Sequence, residues 1–343
     1  MRIVIAGGGT GGHTSPGLAV AARLRESGVD VHWIGSRAGI EARRVPEAGI
    51  TFHTIPVGKL RRYWDWQNVP DLAVRAPAGL AQSWRLLRRL RPALLLATGG
   101  FVALPPALAA RTLRIPVVVH EQTSVPGLAN RVAGRFARRI ALTFPLSGPE
   151  FPKERTVLTG NPLRPELLGG TPAEAYRRFD LDGSRPIVYV TGGALGAHRI
   201  NRDVGQALPD SLRRRYALTA YVGAELRDVY AAAALVVGRS GAGTVNECCQ
   251  LGLAALYVPL PGTSGDEQTA NARLVEAAGG AVVFPQVSLT PDGLVEAVTR
   301  LLADRTALAT MGERARSLAV PDAADRIARV LFEVAGAGTA AGR

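Results

Sequence analysis

Four glycine-rich segments stand where a predicted strand ends and a helix begins. They are Gly7–Gly12, Thr98–Gly100, Gly192–Gly196 and Ser240–Thr244. At such a turn glycine lets the backbone approach a ligand closely, and the N–H groups at the start of the following helix favour an anion, usually a phosphate. Tight packing of strand against helix also requires glycine, so one such turn would be weak evidence. Two in each half predict that each half binds a phosphorylated compound.

His13 directly follows the first glycine segment, at a predicted helix start. Its ring should project towards the bound anion, and imidazole titrates near neutral pH, so His13 is a candidate general base. A phosphate contact or a helix-capping role is the alternative. We expect His32 and His53, in apolar strands, to be structural, whereas the polar trio His120–Gln122 at a sheet edge could touch substrate.

The first glycine segment fits the pattern G-x-G-x-x-G of dinucleotide sites, but the next strand ends in Trp33–Ser36 without an acidic residue for a ribose. A phosphate loop ending in Lys-Ser or Lys-Thr is also absent from the sequence. In the second half, Glu247 lies one helical turn beyond Gly243, where it could reach ribose hydroxyls while the helix start faces a phosphate. We therefore expect nucleotide binding in the second half.

Short β-branched runs alternate with longer helical patterns, which is typical of parallel sheets covered by helices on both faces. We predict an α/β protein of two doubly wound, Rossmann-like domains facing a cleft, with a linker in the proline-containing segment Thr159–Pro165. The predicted domains are residues 1–160, residues 161–320, and a C-terminal helix over 321–335 that packs back towards the first domain.

The predicted elements of the first half are strands over 2–6, 29–34, 93–97 and 117–120 and helices over 16–26 and 72–89. Those of the second half are strands over 187–191, 218–221, 235–237 and 255–258, and helices starting at 198 and 244 or spanning 226–233 and 269–278. A last helix is predicted over 322–334, followed by a disordered tail.

The composition excludes several classes of protein. Of the 343 residues 47% are hydrophobic and 20% are charged, an ordinary balance for a globular protein. The two cysteines, Cys248 and Cys249, are adjacent, so they form no disulfide framework, and they have no neighbours at metal-ligand spacing. No run of 18 apolar residues occurs, so we expect no transmembrane helix.

The net charge of +13 is confined to one half of the chain. Residues 1–160 contain 22 basic and 9 acidic side chains, whereas residues 161–343 contain 19 of each. Within the basic half, the segment Lys59–Arg91 interleaves arginine with tryptophan and leucine, which suits an anionic membrane surface. The residues expected at that surface are Trp64, Trp66, Leu80, Trp84, Arg85, Leu87, Arg88 and Arg89.

Two alternatives to the membrane surface stay open on composition alone. An ordinary amphipathic helix could pack its apolar stripe on the sheet and leave a solvated basic face. The high isoelectric point also invites nucleic-acid binding, but no recognition module or aromatic RNA-binding signature accompanies the charge. We therefore expect no nucleic-acid partner.

Six motifs, in order along nearly the whole chain, resemble the MurG-type N-acetylglucosaminyltransferases of peptidoglycan synthesis. They are GGGTGGHTSPGLAVA, TGGFVALP, HEQTSVPGLANR, TGNPLRPEL, GRSGAGTVNE and GDEQTANA. The resemblance implies the GT-B arrangement and an inverting transfer, without metal or other cofactor, from UDP-GlcNAc to undecaprenyl-diphospho-MurNAc-pentapeptide (lipid I to lipid II). It also implies a peripheral enzyme at the cytoplasmic face of the membrane, with other cell-wall synthesis enzymes as partners.

The resemblance also assigns roles to single residues. His13 would deprotonate or orient the 4-hydroxyl of the acceptor, and the acceptor diphosphate would lie on Gly8, Gly9, Gly99 and Gly100. Arg164 would meet the donor diphosphate, Glu247 the ribose, and Gln268 with Asn271 the GlcNAc hydroxyls. The full set expected at the donor is Thr10, Gly11, Gly12, Thr123, Arg164, Ala194, Val222, Gly243, Thr244, Glu247, Gln268 and Asn271. The alternatives within enzymes are a diacylglycerol glycosyltransferase and a sugar-nucleotide epimerase.

The chain departs from the family pattern at four places. Ala194 stands where a serine hydroxyl is common, Thr123 replaces an asparagine, and Glu267 stands where many members have Gln or His. Between Arg213 and Tyr221 the chain lacks a strand and loop that family members usually carry. That piece would line the uracil pocket. Either the protein is a shortened member of the family with weakened donor binding, or a segment is missing from the sequence.

Overall fold

In a computed structural model, the structure describes residues 1–58, 74–181, 183–192, 200 and 225–340. The chain forms two compact units, Met1–Pro162 with Asp322–Arg343, and Leu163–Pro321. Several predictions lie outside the described residues: the helix starting at 198, the strand over 218–221 and its missing neighbour, and the roles of Trp64, Trp66, Ala194 and Val222.

The first unit is built on a parallel sheet of seven strands in the order β3-β2-β1-β4-β5-β6-β7. The central strands are rich in β-branched residues and leucine and are buried on both faces, as expected of a parallel sheet covered by helices. The order reverses between β1 and β4, which makes the carboxyl ends of these two strands the topological switch point. The strands are β1 (Arg2–Gly7), β2 (Asp30–Ser36), β3 (Thr51–Ile55), β4 (Leu94–Gly99), β5 (Val117–Glu121), β6 (Arg139–Leu142) and β7 (Thr156–Leu158).

Helices cover both faces of this sheet. On one face α1 and the C-terminal helix pack together, with Leu24, Ile327 and Leu331 fully buried between them and the strands. On the other face Leu87 and a row of alanines fill the core. The described helices of this unit are α1 (Gly11–Glu26), α2 (Glu41–Glu47), α3 (Ala76–Leu90), α4 (Leu104–Thr112), α5 (Leu128–Gly134) and, at the end of the chain, α12 (Ala323–Ala340).

The second unit has a parallel sheet whose described strands lie in the order β11-β10-β9-β8. The hydrophobic core of this unit includes Val237, Leu256 and Leu294. The strands are β8 (Ile187–Thr191), β9 (Ala233–Gly238), β10 (Ala255–Tyr257) and β11 (Ala281–Val283). The described helices are α6 (Pro172–Arg178), α7 (Leu226–Ala232), α8 (Ala242–Leu251), α9 (Glu267–Ala277), α10 (Pro291–Ala303) and α11 (Arg305–Arg316).

Two predicted helix bounds differ from the structure by five residues or more. Helix α1 begins at Gly11 rather than at residue 16, so Pro16 lies inside the helix, in its second turn, where its missing N–H removes one i→i−4 hydrogen bond. The last helix continues to Ala340, through residues predicted to be disordered, although the glycines at 336 and 338 disfavour helix. No helix in the described ranges is long and apolar enough to cross a bilayer.

Candidate active site

The two glycine segments of the first unit meet at the switch point of its sheet. β1 and β4 are neighbours, with Gly7 paired to Gly99, so the chain leaves both strands at the same edge. Thr10 caps the N-terminus of α1 with extended backbone and accepts N–H bonds from His13 and Thr14 at its carbonyl oxygen. This places the His13 ring in the first turn of α1, at the edge where open α/β sheets bind ligands.

The His13 imidazole is held by two acceptors. Its Nδ1 lies 3.1 Å from the carbonyl oxygen of Thr98 and 3.0 Å from Oε1 of Gln122. Gln122 belongs to the polar trio predicted to touch substrate, and it is 1% exposed. The sequence therefore places the trio at the same edge of the sheet as His13, and the structure adds that one of its members, Gln122, holds the histidine.

Gly99 and Gly100 are explained by close packing against this ring. A Cβ atom at Gly99 would lie 2.9 Å from Nδ1 of His13, and one at Gly100 would lie 2.3 Å from the carbonyl oxygen of Gly8. Both residues also have positive φ angles, +97° and +76°, which side chains rarely adopt. A larger residue at Gly99 would press on the imidazole, and one at Gly100 would press mainly on the carbonyl group of Gly8.

The side chain of Glu41 packs against the first glycine segment and bonds to its backbone. This carboxylate is fully buried; Oε2 accepts the N–H of Gly9 at 2.9 Å and Oε1 accepts the N–H of Ser36 at 3.0 Å. Because the N–H group of Gly9 already bonds to a carboxylate of the protein, a contact between Gly9 and the acceptor diphosphate stays a prediction. Gly8 lies against the same carboxylate, as a Cβ there would meet Glu41 at 2.2 Å.

Replacing Glu41 with alanine should lower the free energy of unfolding of the first unit by about 2–4 kcal/mol, because it leaves buried N–H donors unpaired. All four tryptophans lie in residues 1–160, so tryptophan fluorescence during urea unfolding reports on this unit. Glu47→Ala, at the exposed end of the same helix, is the matched control and should change stability by less than about 0.5 kcal/mol. Equal losses of stability in the two variants would contradict the conclusion that Glu41 supports the glycine segment.

The segment after β5 is a second buried polar cluster around Glu121. Its Oε1 accepts the N–H and hydroxyl of Thr123 at 3.0 and 2.7 Å, and its Oε2 accepts Nδ2 of Asn130 at 2.9 Å. Thr123 is only 6% exposed, and its hydroxyl already donates hydrogen bonds within this segment. A contact between Thr123 and the donor stays a prediction.

The second unit presents the helix start of α8 after β9. A Cβ atom at Gly241 or Gly243 would meet no described atom within 4 Å, so packing does not explain these glycines. The first N–H groups of a helix have no partners within it and favour an anion. Of the three glycine segments that the structure describes, the one leading into α8 therefore best fits close approach by a phosphate, with Thr244 in the same turn.

Glu247, on the next turn of α8, holds two partners. Its Oε1 accepts from Nη2 of Arg164 at 2.9 Å, and its Oε2 accepts from the hydroxyl of Tyr230 at 2.9 Å. Burial opposes the charge of Arg164, but the Glu247 carboxylate outweighs it and raises the pKa of the guanidinium. Burial also raises the pKa of Tyr230 well above its ordinary value, so this hydroxyl stays a donor.

Gln268 and Asn271 on α9 support the loop that leads into α8. Nδ2 of Asn271 donates to the carbonyl oxygen of Ser240 at 3.2 Å, and Asn271 is fully buried. The Ser240 hydroxyl in turn donates to the Gln268 carbonyl oxygen at 2.7 Å, while Gln268 Oε1 accepts from the N–H of Leu260 at 3.0 Å. Contacts of these two side chains with GlcNAc stay predictions.

The membrane-surface prediction is wrong for Leu87, which is fully buried in the core of the first unit. Trp84 packs partly on the same core, with the Arg88 guanidinium 5.0 Å from its ring centre. Two exposed apolar residues lie just before and near the start of α3, since Val74 precedes the helix and is 64% exposed, and Leu80 on its second turn is 37% exposed. The end of α3 is basic, with Arg85, Arg88 and Arg89 exposed.

Sequence reasoning missed Glu41 and Tyr230. Glu41 lies 32 residues from Gly9 and Tyr230 lies 17 residues from Glu247, each in a segment without a recognisable motif, so the fold brings these partners together. Within the described ranges, no group of three or more His, Cys, Asp or Glu side chains has the geometry of a metal site.

Two α/β units with parallel sheets, one with a histidine at its switch point and one with an open helix start beside a carboxylate–arginine pair, define the GT-B class of glycosyltransferases. Sequence comparison agrees with this class. The glycosyltransferase family 28 N-terminal domain matches residues 3–142, and the glycosyltransferase family 28 C-terminal domain matches residues 216–327.

Two curated relatives, both named UDP-N-acetylglucosamine--N-acetylmuramyl-(pentapeptide) pyrophosphoryl-undecaprenol N-acetylglucosamine transferase, match over nearly their whole length. The protein of a Nocardioides species is 39% identical, covering 99% of this chain and 100% of its own. That of Methylococcus capsulatus is 41% identical, covering 98% of this chain and 99% of its own. The chain belongs to this family of N-acetylglucosamine transferases.

Solved structures agree with the assignment. The crystal structure of Acinetobacter baumannii MurG superimposes with a TM-score of 0.77 at 26% identity, covering 97% of this chain and 99% of its own. A UDP-GlcNAc 2-epimerase from Neisseria meningitidis shares the fold alone, with a TM-score of 0.66 at 13% identity over 97% of this chain and all of its own.

Proposed function

We propose that this protein transfers GlcNAc from UDP-GlcNAc to the 4-hydroxyl of MurNAc in undecaprenyl-diphospho-MurNAc-pentapeptide, which converts lipid I to lipid II. The observation that carries the proposal is the His13 imidazole, held by backbone and side-chain acceptors at the switch point of the first unit. Family membership supports the same activity, because the full-length relatives carry that name.

In this transfer the acceptor oxygen attacks the anomeric carbon of GlcNAc, the bond to the UDP oxygen breaks with inversion, and UDP leaves with the electron pair. Nε2 of His13 takes the proton of the hydroxyl as general base. The helix start of α8 and Arg164 meet the charge that develops on the leaving diphosphate. Glu247 binds the ribose hydroxyls.

A transfer assay with radiolabelled UDP-GlcNAc tests this function directly. We expect label in product only when lipid I or a short-chain analogue is present, and none with diacylglycerol as the acceptor. Transfer to diacylglycerol would contradict the proposal, and so would conversion of UDP-GlcNAc to its 2-epimer without any acceptor.

The outer face of α3 supports a peripheral position at an anionic membrane surface, on the cytoplasmic side where UDP-GlcNAc is found. Exposed Val74, just before the helix, and exposed Leu80, on it, precede the exposed arginines Arg85, Arg88 and Arg89 of the same helix. Apolar contact and charge add in such an interface. Contacts with other cell-wall synthesis enzymes stay a proposal from the family relationship.

The double substitution Arg88→Gln/Arg89→Gln should weaken binding to vesicles with anionic lipids about thirtyfold, at about 1 kcal/mol for each arginine near the surface. Sedimentation with vesicles measures it. The matched control, Arg300→Gln/Arg305→Gln, removes the same charge from exposed positions in the second unit and should bind like the wild type. Both variants should keep turnover with a short-chain acceptor in solution. Equal loss in the two variants would mean that net charge, not this face, binds the vesicle.

A further inference from the structure

We propose that Gln122 and His120 are positioning residues that hold the His13 imidazole in the tautomer with the proton on Nδ1, which leaves Nε2 as the basic nitrogen. The inference deepens the proposed function, because it rests on His13 acting as the base. It adds two residues that do not touch the reacting atoms and act through the histidine.

The orientation of the Gln122 amide follows from its neighbours. Its Nε2 lies 2.7 Å from the carbonyl oxygen of Thr98 and 3.0 Å from that of His120. Carbonyl oxygens only accept hydrogen bonds, so the amide nitrogen must be on this side. The atom that faces His13 is therefore the amide oxygen, Oε1.

The position of the proton on His13 follows in turn. Nδ1 lies between Oε1 of Gln122 at 3.0 Å and the carbonyl oxygen of Thr98 at 3.1 Å, and neither atom can donate. Nδ1 must carry a proton to bond to either of them, so a neutral His13 has its lone pair on Nε2. Nε2 has no hydrogen-bond partner within the described ranges.

His120 fixes the amide from the other side. It is fully buried, and its Nε2 donates to the carbonyl oxygen of Gly160 at 3.2 Å. Burial lowers the pKa of His120 to about 4, so the ring is neutral at pH 7 and its Nδ1 accepts from Nε2 of Gln122 at 3.1 Å. In a flipped amide the oxygen would face three acceptors, which are the carbonyl oxygens of Thr98 and His120 and Nδ1 of His120. The chain of hydrogen bonds from His120 through Gln122 to His13, which we call the relay, therefore has one stable arrangement.

The tautomer can be measured without any turnover. Long-range ¹H–¹⁵N spectra of the ¹⁵N-histidine-labelled enzyme distinguish protonated from unprotonated ring nitrogens, and the His13→Gln variant assigns the signals of His13. We expect a protonated Nδ1 and an unprotonated Nε2 in the unliganded wild type at pH 8. A His13 signal with the proton on Nε2, or an even mixture of tautomers, would overturn the inference.

The Gln122→Met variant tests the role of the amide at nearly constant side-chain volume. It removes one of the two acceptors at Nδ1, so we expect mixed His13 tautomers and a kcat about tenfold lower, with KM for UDP-GlcNAc unchanged. The matched control is Gln82→Met, because Gln82 donates one hydrogen bond of 2.9 Å to the carbonyl oxygen of Thr54 in the same unit, away from the site. An unchanged His13 spectrum in Gln122→Met would refute the positioning role.

A second pair of variants separates the relay from folding. His120→Asn can keep an acceptor near the Nδ1 position, whereas His120→Leu cannot, so kcat and the His13 spectrum should be closer to wild type in the former. Equal loss in both would contradict the relay. If the tautomer is as expected and His13→Ala retains full turnover, the base role of His13 fails while the positioning by Gln122 stands.

Discussion

The His13→Ala variant should lose at least about a hundredfold in kcat, the usual contribution of a general base. The imidazole lies in the first turn of α1 with Nδ1 bonded to Thr98 and Gln122, so its replacement removes the basic nitrogen and leaves the sheet intact. Binding of UDP-GlcNAc should be retained, because the residues expected at the uridine lie in the second unit. Radiolabelled transfer measures kcat, and calorimetry with UDP measures binding.

The control for this variant is His53→Ala, the same substitution at a histidine outside the site. His53 stacks on His32 at a centroid distance of 5.2 Å, on the neighbouring strands β2 and β3. We expect its turnover to stay within about twofold of wild type, although its stability can fall. Turnover of His13→Ala at the wild-type rate would refute the base assignment.

The Glu247→Gln variant should raise KM for UDP-GlcNAc about tenfold to a hundredfold, with KM for the acceptor unchanged. The substitution removes a charge-assisted acceptor, and hydrogen bonds to charged groups contribute about 1.5–3 kcal/mol. It also leaves Arg164 without its ionic partner. Both side chains of this pair are largely buried, with 30% of Arg164 and 14% of Glu247 exposed. Initial rates at varied donor and acceptor concentrations separate the two constants.

The matched control is Glu174→Gln, which also breaks a carboxylate–arginine pair in the second unit. Glu174 pairs with Arg177 on the surface of α6, away from α8. We expect no change in either KM from this control, because exposed pairs contribute little. An unchanged donor KM in Glu247→Gln would remove Glu247 from the donor site.

Residue type and spacing were enough to predict where the described glycine turns, His13 and Glu247 lie in the fold. Each of these features is local: a strand end, a turn and a helix start that follow one another in the chain. The parallel α/β architecture is predictable for the same reason, because alternating β-branched runs and helical patterns permit few other arrangements. The partners of Gly9 and Glu247 were not predictable, since Glu41 and Tyr230 come into contact with them only after the chain has folded.

The error at Leu87 has a physical cause that the sequence did contain. Gly79, Ser83 and Leu87 are the buried residues of α3 and follow one another at intervals of four, which places them on one face of a helix. The prediction grouped Leu87 with its basic neighbours by composition and ignored this period. The exposed Arg88 and Arg89 lie one and two residues further, on the opposite face.

The return of α12 to the first unit has a consequence for synthesis on the ribosome. Ile327 and Leu331 bury Leu24 and its neighbours on α1, and Asp325 forms an ion pair with Arg23, yet residues 163–321 must be made first. A nascent first unit therefore presents an uncovered apolar strip while the whole second unit is translated. We expect a chain that stops at residue 321 to aggregate, and a separately added α12 peptide to restore its solubility.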